Sequence, residues 1–175
     1  MSLYLSIPAI SNEINRIRRS RYESVLYGVW TSILTWQFPV TEGYVTCPQA
    51  RHGSQSGERG WSDLHTYHYP NGSNTADRFL FVQCKRRGGP ATWRDGLDQL
   101  LRYVRATHRT RRYGRRSPVY GILCVGEMVR LYKYHDPTRT LRPFAPPGLA
   151  TGDEWNIRLD ARKVQRILNY ILRHH

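Results

Sequence analysis

Phe79-Leu80-Phe81-Val82-Gln83-Cys84-Lys85 is the stretch of sequence that decides the fold. Strand geometry places Phe79, Phe81, Gln83 and Lys85 on one face and three apolar residues on the other. A strand that is apolar on both faces is typical of the covered centre of a sheet. Gln83 and Lys85 stand about 6–7 Å apart along their shared face. The sequence therefore predicts a central strand that ends in two polar side chains on the same side.

Helices and strands alternate around this central strand. Apolar residues at helical spacing predict a first helix from Ser6 or Ser11 to about Trp36. Strand patterns follow at 40–47, 61–69 and 78–86, then a helix at 92–108 and strands at 120–125 and 128–134. A Pro-rich connection at 137–152 leads to a final helix at about 160–173. This order predicts one α/β domain over 1–175, with a mixed central sheet flanked by helices.

The charge of the chain indicates its class of partner. The formal net charge is +14, and only 3 of the 27 basic residues are lysines, namely Lys85, Lys133 and Lys163. Arginine binds phosphate with a planar fork and stacks on bases, so the composition favours a nucleic-acid partner. A GC-rich genome would explain arginine over lysine but not the excess over acids. An anionic protein or a membrane surface stays open as an alternative.

The compartment follows from cysteine usage and from the apolar segments. Cys47, Cys84 and Cys124 are dispersed in strand-like contexts, which is typical of reduced core thiols. The histidines show no metal-ligand spacing. No apolar stretch reaches the length of a membrane span, and the first ten residues lack a charged segment before an apolar core. We therefore expect an intracellular protein, nuclear or cytoplasmic, that does not enter a membrane.

Asp63 is the residue that makes the central strand chemically interesting. Aspartate is depleted in strand interiors, so its place within the predicted strand at 61–69 requires a reason. The turn chemistry at 70–74 predicts a hairpin that brings Asp63 beside Gln83 and Lys85. Oxygen ligands hold Mg²⁺, and a lysine near the metal can position an attacking water. Each residue also has an ordinary interpretation: a capped strand end, a satisfied glutamine and a surface lysine.

These residues carry a resemblance to the PD-(D/E)XK nuclease superfamily, which has the restriction-endonuclease-like fold. Ser62-Asp63 stands where that family has Pro-Asp, and Gln83-Cys84-Lys85 where it has (Asp/Glu)-x-Lys. Gln99-Leu100-Leu101-Arg102-Tyr103 resembles the Gln-x-x-x-Tyr motif of RecB-type members. The resemblance covers about 11–134. It implies an αβββαβ core, to which this chain adds one strand and a C-terminal helix.

The resemblance implies a metal-dependent nuclease that uses Mg²⁺ or Mn²⁺. Its implied metal ligands are the side chains of Asp63, Gln83 and Glu23 and the carbonyl of Cys84, with Glu13 as the fallback for Glu23. Lys85 would orient the attacking water, and Gln99 and Tyr103 would support the site. The chain departs from the family at Gln83, where an amide replaces the usual acid.

Arginines flank this candidate site and would hold the nucleic acid, with DNA favoured over RNA. They are Arg86, Arg87, Arg109, Arg111, Arg112, Arg115 and Arg116. Taken alone, such a run is typical of a solvated surface. Two other functions stay open: a catalytically silent nuclease fold that binds nucleic acid, and a protein-interaction domain. A homodimer or a larger assembly is also compatible with the sequence.

Overall fold

Four helices frame the part of the chain that the structure describes. The computed structural model describes residues 3–19, 22–48, 51–52, 60–61, 63–70, 73–109, 117–152 and 154–175, without the side chains of 51, 52, 60, 61, 108 and 109. The helices are α1 (Pro8–Ile17), α2 (Ser24–Gln37), α3 (Pro90–Arg109) and α4 (Ala161–His174). Short 3-10 turns occupy Tyr4–Ser6 and Val40–Glu42.

A mixed sheet lies between these helices. Its strands in the described ranges are β1 (Tyr44–Pro48), β4 (Leu64–His68), β5 (Asp77–Lys85), β6 (Tyr120–Val125), β7 (Met128–His135), β8 (Thr140–Pro143) and β9 (Trp155–Asn156). They follow the order β1-β4-β5-β6-β7-β8, and β9 pairs with β7. The short strands β2 (Arg51–His52) and β3 (Gly60–Trp61) pair with each other.

The centre of the sheet contains a parallel pair of strands. β5 and β6 run parallel, in a register that pairs Cys84 with Cys124, and α3 makes the connection between them. The other strand pairs are antiparallel, including β4 with β5. Because the sheet is mixed and helices flank it, the predicted α/β class is confirmed.

Two apolar cores cover the two faces of the sheet. One contains buried residues of α1, α2 and α4, together with Leu80, Val82 and Cys84 of β5. The other joins Leu100, Tyr103 and Val104 of α3 to the sheet. α3 packs closely, since a Cβ added at Gly96 would lie 2.6 Å from a methyl group of Leu123. The central strand is therefore covered on both sides, as its sequence predicts.

The predicted first helix is wrong in its length. The structure has two helices there, separated between Ile17 and Ser24. The sequence between them has three arginines and no apolar residue before Tyr22, so it offers nothing to bury. Tyr22 is itself 77% exposed. Without an apolar stripe, a continuous helix gains no tertiary packing across this segment.

The predictions for two strands, for the Pro-rich connection and for the face of Phe79 also need correction. The strand predicted at 40–47 begins only at Tyr44, because Gly43 adopts a left-handed conformation with φ of 84°. The strand predicted at 61–69 is interrupted, and Asp63 lies at a bend just before β4. Part of the Pro-rich connection forms β8. An irregular register beside Thr66 lets Phe79 pack with Phe38 and Leu80 in the first core, not on the face of Phe81.

Candidate active site

Asp63 lies where β4 meets the end of β5. Leu64 pairs with Val82 in the sheet. Asp63 precedes Leu64 and Gln83 follows Val82, so the two side chains meet. The Asp63 Oδ2 atom accepts hydrogen bonds from the Gln83 amide and, at 2.6 Å, from the backbone N–H of Cys84. The hairpin therefore brings Asp63 and Gln83 together as predicted. The carboxylate also satisfies a backbone donor at the end of the strand pair.

Gln83 is fully buried, and only one end of its amide is satisfied. The nitrogen donates to Asp63 and lies 3.4 Å from the carbonyl oxygen of Cys84. The Oε1 atom has no hydrogen-bond partner within the described residues. A buried polar atom without a partner is uncommon and costs about 1–3 kcal/mol. The orphaned oxygen therefore marks a place where a further donor or a cation fits.

A second carboxyl group reaches Asp63 through Tyr27. The Tyr27 hydroxyl lies 2.7 Å from Oε1 of Glu23 and 3.2 Å from Oδ1 of Asp63. A phenol has one proton, so it donates to one of these carboxylates at a time. Glu23 directly precedes α2, where the positive end of the helix dipole favours an acid. Two carboxyl groups thus converge on one hydroxyl oxygen.

Burial raises the pKa of Asp63 to about 6. This pKa includes the nearby charge of Glu23, which adds to the rise, and the hydrogen bond from the Cys84 backbone, the charge of Lys85 and the Tyr27 hydroxyl, which oppose it. Burial also raises the pKa of the Cys84 thiol, so this cysteine is a neutral core residue. A buried carboxyl with a raised pKa beside another acid is typical of functional sites.

Lys85 is half-buried at the end of β5 and opens onto a cleft. The cleft has a volume of about 570 Å³, and its lining includes Glu23, Lys85, Arg86 and Arg87. The aliphatic stem of Lys85 lies against Gly96 of α3, where an added Cβ would be 3.3 Å from its Cγ. A glycine at this position therefore lets α3 approach the strand that presents the lysine. The cleft combines an acid with three cations.

Gln99 and Tyr103 form a pair on α3. The Gln99 amide donates to the Tyr103 hydroxyl at 2.8 Å, as the spacing of four residues in a helix permits. Tyr103 is buried in the core between α3 and the sheet, and Gln99 is half-buried. Since Gly96 and Gln99 are three residues apart on the helix, the pair lies on the side of α3 that meets Lys85.

The predicted phosphate-binding arginines fall into two groups. Arg86 and Arg87 are exposed and line the cleft. The others lie outside the described residues, or have side chains outside them: Arg109, Arg111, Arg112, Arg115 and Arg116. Ser62, the counterpart of the family's proline, lies outside them as well. Arg86 and Arg87 are therefore the arginines that the structure relates to the site.

Tyr27 is the site residue that the sequence argument missed. Its position among apolar residues favours a packing role, although it lies four residues after Glu23, a spacing at which helical side chains meet. Glu13, the fallback acid, instead pairs with Arg16 on the surface of α1. Because α1 and α2 are separate helices, the direction in which Glu23 points does not depend on which face of α1 is apolar. Of the two acids, it is therefore Glu23, the one predicted first, that reaches Tyr27.

The oxygen atoms at this site are of the chemical type that binds a hard divalent cation. Within the described ranges, no three His, Cys, Asp or Glu side chains form a group that could hold a metal. The Asp63 carboxyl, however, lies against a buried amide with an orphaned oxygen and near a backbone carbonyl, and Glu23 approaches Asp63 through the Tyr27 hydroxyl. Mg²⁺ takes oxygen ligands and uses only one or two carboxylates, so such a set suits it.

Comparison with protein-family models gives no match for this sequence, and a search of curated proteins finds no significantly similar chain. The geometry of the site therefore carries the functional argument. Among the described helices, none is long and apolar enough to cross a membrane.

Proposed function

We propose that this chain is a metal-dependent nuclease that hydrolyses phosphodiester bonds of nucleic acid, with DNA as the favoured substrate. The observation that carries the proposal is the convergence of two carboxyl groups and a buried amide beside Lys85, at a cleft lined by arginines. A phosphodiester is an anion, so a basic cleft attracts it. Its hydrolysis requires a positioned water and stabilisation of negative charge on the phosphate.

The topology supports the same proposal. Strands β1, β4 and β5 pair antiparallel, and α3 then leads to β6, which is parallel to β5. This order agrees with the αβββαβ core that the PD-(D/E)XK resemblance implies. Asp63 and Lys85 stand at neighbouring ends of β4 and β5, and Gln99 and Tyr103 lie on the following helix. Membership of that superfamily is part of the proposal.

Each site residue has a role in this reaction. The oxygen donors for Mg²⁺ or Mn²⁺ are the side chains of Asp63, Gln83 and Glu23 and the Cys84 carbonyl. When bound, such a cation lowers the pKa of its water and offsets the charge that develops on the phosphate. The Lys85 ammonium donates to the attacking water and orients it. Gln99 and Tyr103 support α3 beside Lys85, and Arg86 and Arg87 bind phosphates along the cleft.

The test is cleavage of a labelled oligonucleotide and of a plasmid with Mg²⁺, with Mn²⁺ and with EDTA. Asp63→Ala and Lys85→Ala should each lower the rate by at least about a hundredfold, the usual scale for an essential group. Asp98→Ala and Lys163→Ala are matched controls, since both residues are exposed and lie on α3 and α4. Activity that survives both site changes, or persists in EDTA, refutes the nuclease proposal.

One observation favours a second candidate, a catalytically silent fold that binds nucleic acid. The nitrogen of the Gln83 amide faces Asp63, so a hydrogen bond occupies the carboxylate oxygen that a cation would use. Such a protein would bind DNA equally in EDTA and in Mg²⁺. Calorimetric titration separates the candidates, because only the nuclease has an Mg²⁺ isotherm that Asp63→Ala removes.

A further inference from the structure

A second buried carboxylate lies next to the cleft, apart from the group around Asp63, and directly follows Gly126 of the cleft lining. Glu127 is in the turn between β6 and β7, and its side chain is 7% exposed. Its Oε1 accepts a hydrogen bond from Nε of Arg18 at 2.9 Å, and its Oε2 accepts one from Nη2 of Arg87 at 3.4 Å. Arg18 follows α1 and Arg87 follows β5. One carboxylate thus connects two arginines that are distant in the sequence.

Hydrogen bonds hold the turn that carries Glu127 against the end of β5. The N–H of Gly126 donates to the carbonyl of Lys85 at 2.9 Å, and the N–H of Ile157 donates to the carbonyl of Glu127 at 2.9 Å. Gly126 has φ of 61°, and an added Cβ would lie 2.7 Å from Cγ of Arg87. A glycine here provides both the left-handed turn and the space for the arginine stem. The position of Glu127 relative to Lys85 is therefore well determined.

The two arginines keep donors for another anion. A guanidinium has five N–H groups, and the bonds to Glu127 use Nε of Arg18 and Nη2 of Arg87. The side chains are 53% and 69% exposed, so the remaining donors meet solvent. The group of three carries a net charge of +1. Ion pairs of such exposed arginines contribute little to stability, so orientation of the guanidinium groups is the stronger reason for this arrangement.

We propose that Arg18 and Arg87, oriented by Glu127, form a phosphate subsite for the nucleic-acid backbone, next to the place beside Lys85 where the proposed hydrolysis would occur. Glu127 is a positioning residue, and the ligand class is a phosphodiester. The cleft brings the two places together, because its lining includes Ile17, Lys85, Arg87 and Gly126. This subsite deepens the proposed nuclease function and rests on it.

The first test is the salt dependence of oligonucleotide binding in EDTA. Each phosphate contact to a single strand contributes about −0.7 to the slope of log K against log salt concentration. Arg18→Ala and Arg87→Ala should each make this negative slope less steep by about that amount. Arg16→Ala is the matched control, since Arg16 also pairs with a glutamate, Glu13, on the same helix. Slopes of the Arg18 and Arg87 variants that equal that of Arg16→Ala refute the subsite.

A second test uses a difference in sign. Removing an acid from a protein ordinarily strengthens its attraction for DNA, because the protein loses a negative charge. Glu154→Gln is the matched control and should strengthen binding in this way, since Glu154 also pairs with an arginine. Glu127→Gln should instead weaken binding severalfold, because the two guanidinium groups lose their common partner. Adding Arg18→Ala to Glu127→Gln should then change the salt slope by much less than it does alone. Tighter binding by Glu127→Gln refutes the positioning role.

The two proposals fail separately. Binding in EDTA requires no cleavage, so unchanged slopes together with cleavage that depends on Asp63 refute the subsite alone. Cleavage that survives Asp63→Ala and Lys85→Ala, together with less steep slopes, refutes the nuclease alone. A wild-type protein that does not bind the oligonucleotide refutes the subsite.

Discussion

Replacing Gln83 by glutamate tests the shared role of Gln83 and Asp63 most directly. The side chain at position 83 is fully buried and contacts the Asp63 carboxylate through its N–H. Gln83→Glu removes this donor and places a second acid beside a carboxyl whose pKa is already about 6. In EDTA the pair can avoid two adjacent negative charges only by retaining a proton.

The cost follows from that proton. Holding it at pH 7 on a carboxyl of usual pKa near 4.3 costs about 3–4 kcal/mol, at about 1.36 kcal/mol per pH unit. A hydrogen bond from the protonated group to its neighbour returns about 1–2 kcal/mol. We therefore expect a net loss of about 2–3 kcal/mol of unfolding free energy. For a chain of this size that loss lowers Tm by about 4–12 °C.

Acidic pH and divalent cations should both reverse the loss. At pH 5 the same proton costs only about 1 kcal/mol, so the loss exists at neutral pH and nearly disappears as the pH falls. A ligand that binds only the folded state at a hundred times its Kd adds about 2.7 kcal/mol. Mg²⁺ should therefore raise Tm of Gln83→Glu by more than it raises Tm of the wild type.

Scanning calorimetry at pH 5 and pH 7, with EDTA or Mg²⁺, measures these shifts. Gln83→Met is the matched control, because it also removes the donor to Asp63 but adds no charge. Its loss of stability should depend less on pH than that of Gln83→Glu, and Mg²⁺ should not restore it. Equal responses of the two variants to pH and to Mg²⁺ would show that Gln83 and Asp63 do not share a cation site.

Three further predictions concern the surroundings of the site. Because folding raises the pKa of Asp63 from 3.8 to about 6, the contribution of this group to stability in EDTA should be fully present below pH 4 and should be lost as the pH rises through 6, a change of about 2–3 kcal/mol. In calorimetry the wild type should therefore lose about that much more stability across this pH range than Asp63→Asn. Tyr27→Phe removes a hydrogen bond that lowers the pKa of Asp63, so the acidic limb of the cleavage-rate profile should move to higher pH. Gly96→Ala should destabilise the protein by about 1–2 kcal/mol through overlap with Leu123. Gly28→Ala should instead stabilise α2 by about 0.5–1 kcal/mol in urea unfolding, because an added Cβ there meets Glu13 Oε2 at an ordinary contact distance of 3.8 Å.

The sequence was a good guide where one pattern had one physical solution. The covered strand β5, the parallel strand β6 and the helix between them follow from an apolar run, a Gly-Gly-Pro stop and a helical stripe. The break between α1 and α2 is hard to predict because the apolar residues before and after it keep helical spacing. Only the short polar segment between them, which has no apolar side chain to bury, indicates that the helix stops. The bend at Asp63 is not evident from the sequence, because the polar–aromatic alternation from Trp61 to Tyr67 is compatible with a continuous strand.

The site was predicted in part for the same reason. Hairpin geometry brings Asp63 to Gln83, and helical spacing joins Gln99 to Tyr103. Tyr27 and Glu127 required the three-dimensional packing of separate elements. Tyrosine in an apolar helix is usually a packing residue, and an acid in a tight turn is usually solvated. Only the assembled structure shows that one lies between two carboxyl groups and the other between two arginines.

The orientation of the Gln83 amide determines how tightly the wild-type site can hold a cation. The oxygen and nitrogen of an amide are nearly equal in size, so a half-turn of the group exchanges them without repacking the core. With nitrogen toward Asp63 the carboxylate is satisfied, whereas with oxygen toward it two negative atoms meet unless a cation is present. The cation must therefore displace one hydrogen bond. We expect Mg²⁺ affinity by calorimetric titration to decrease from Gln83→Glu to wild type to Gln83→Met, and equal affinities would refute ligation by position 83.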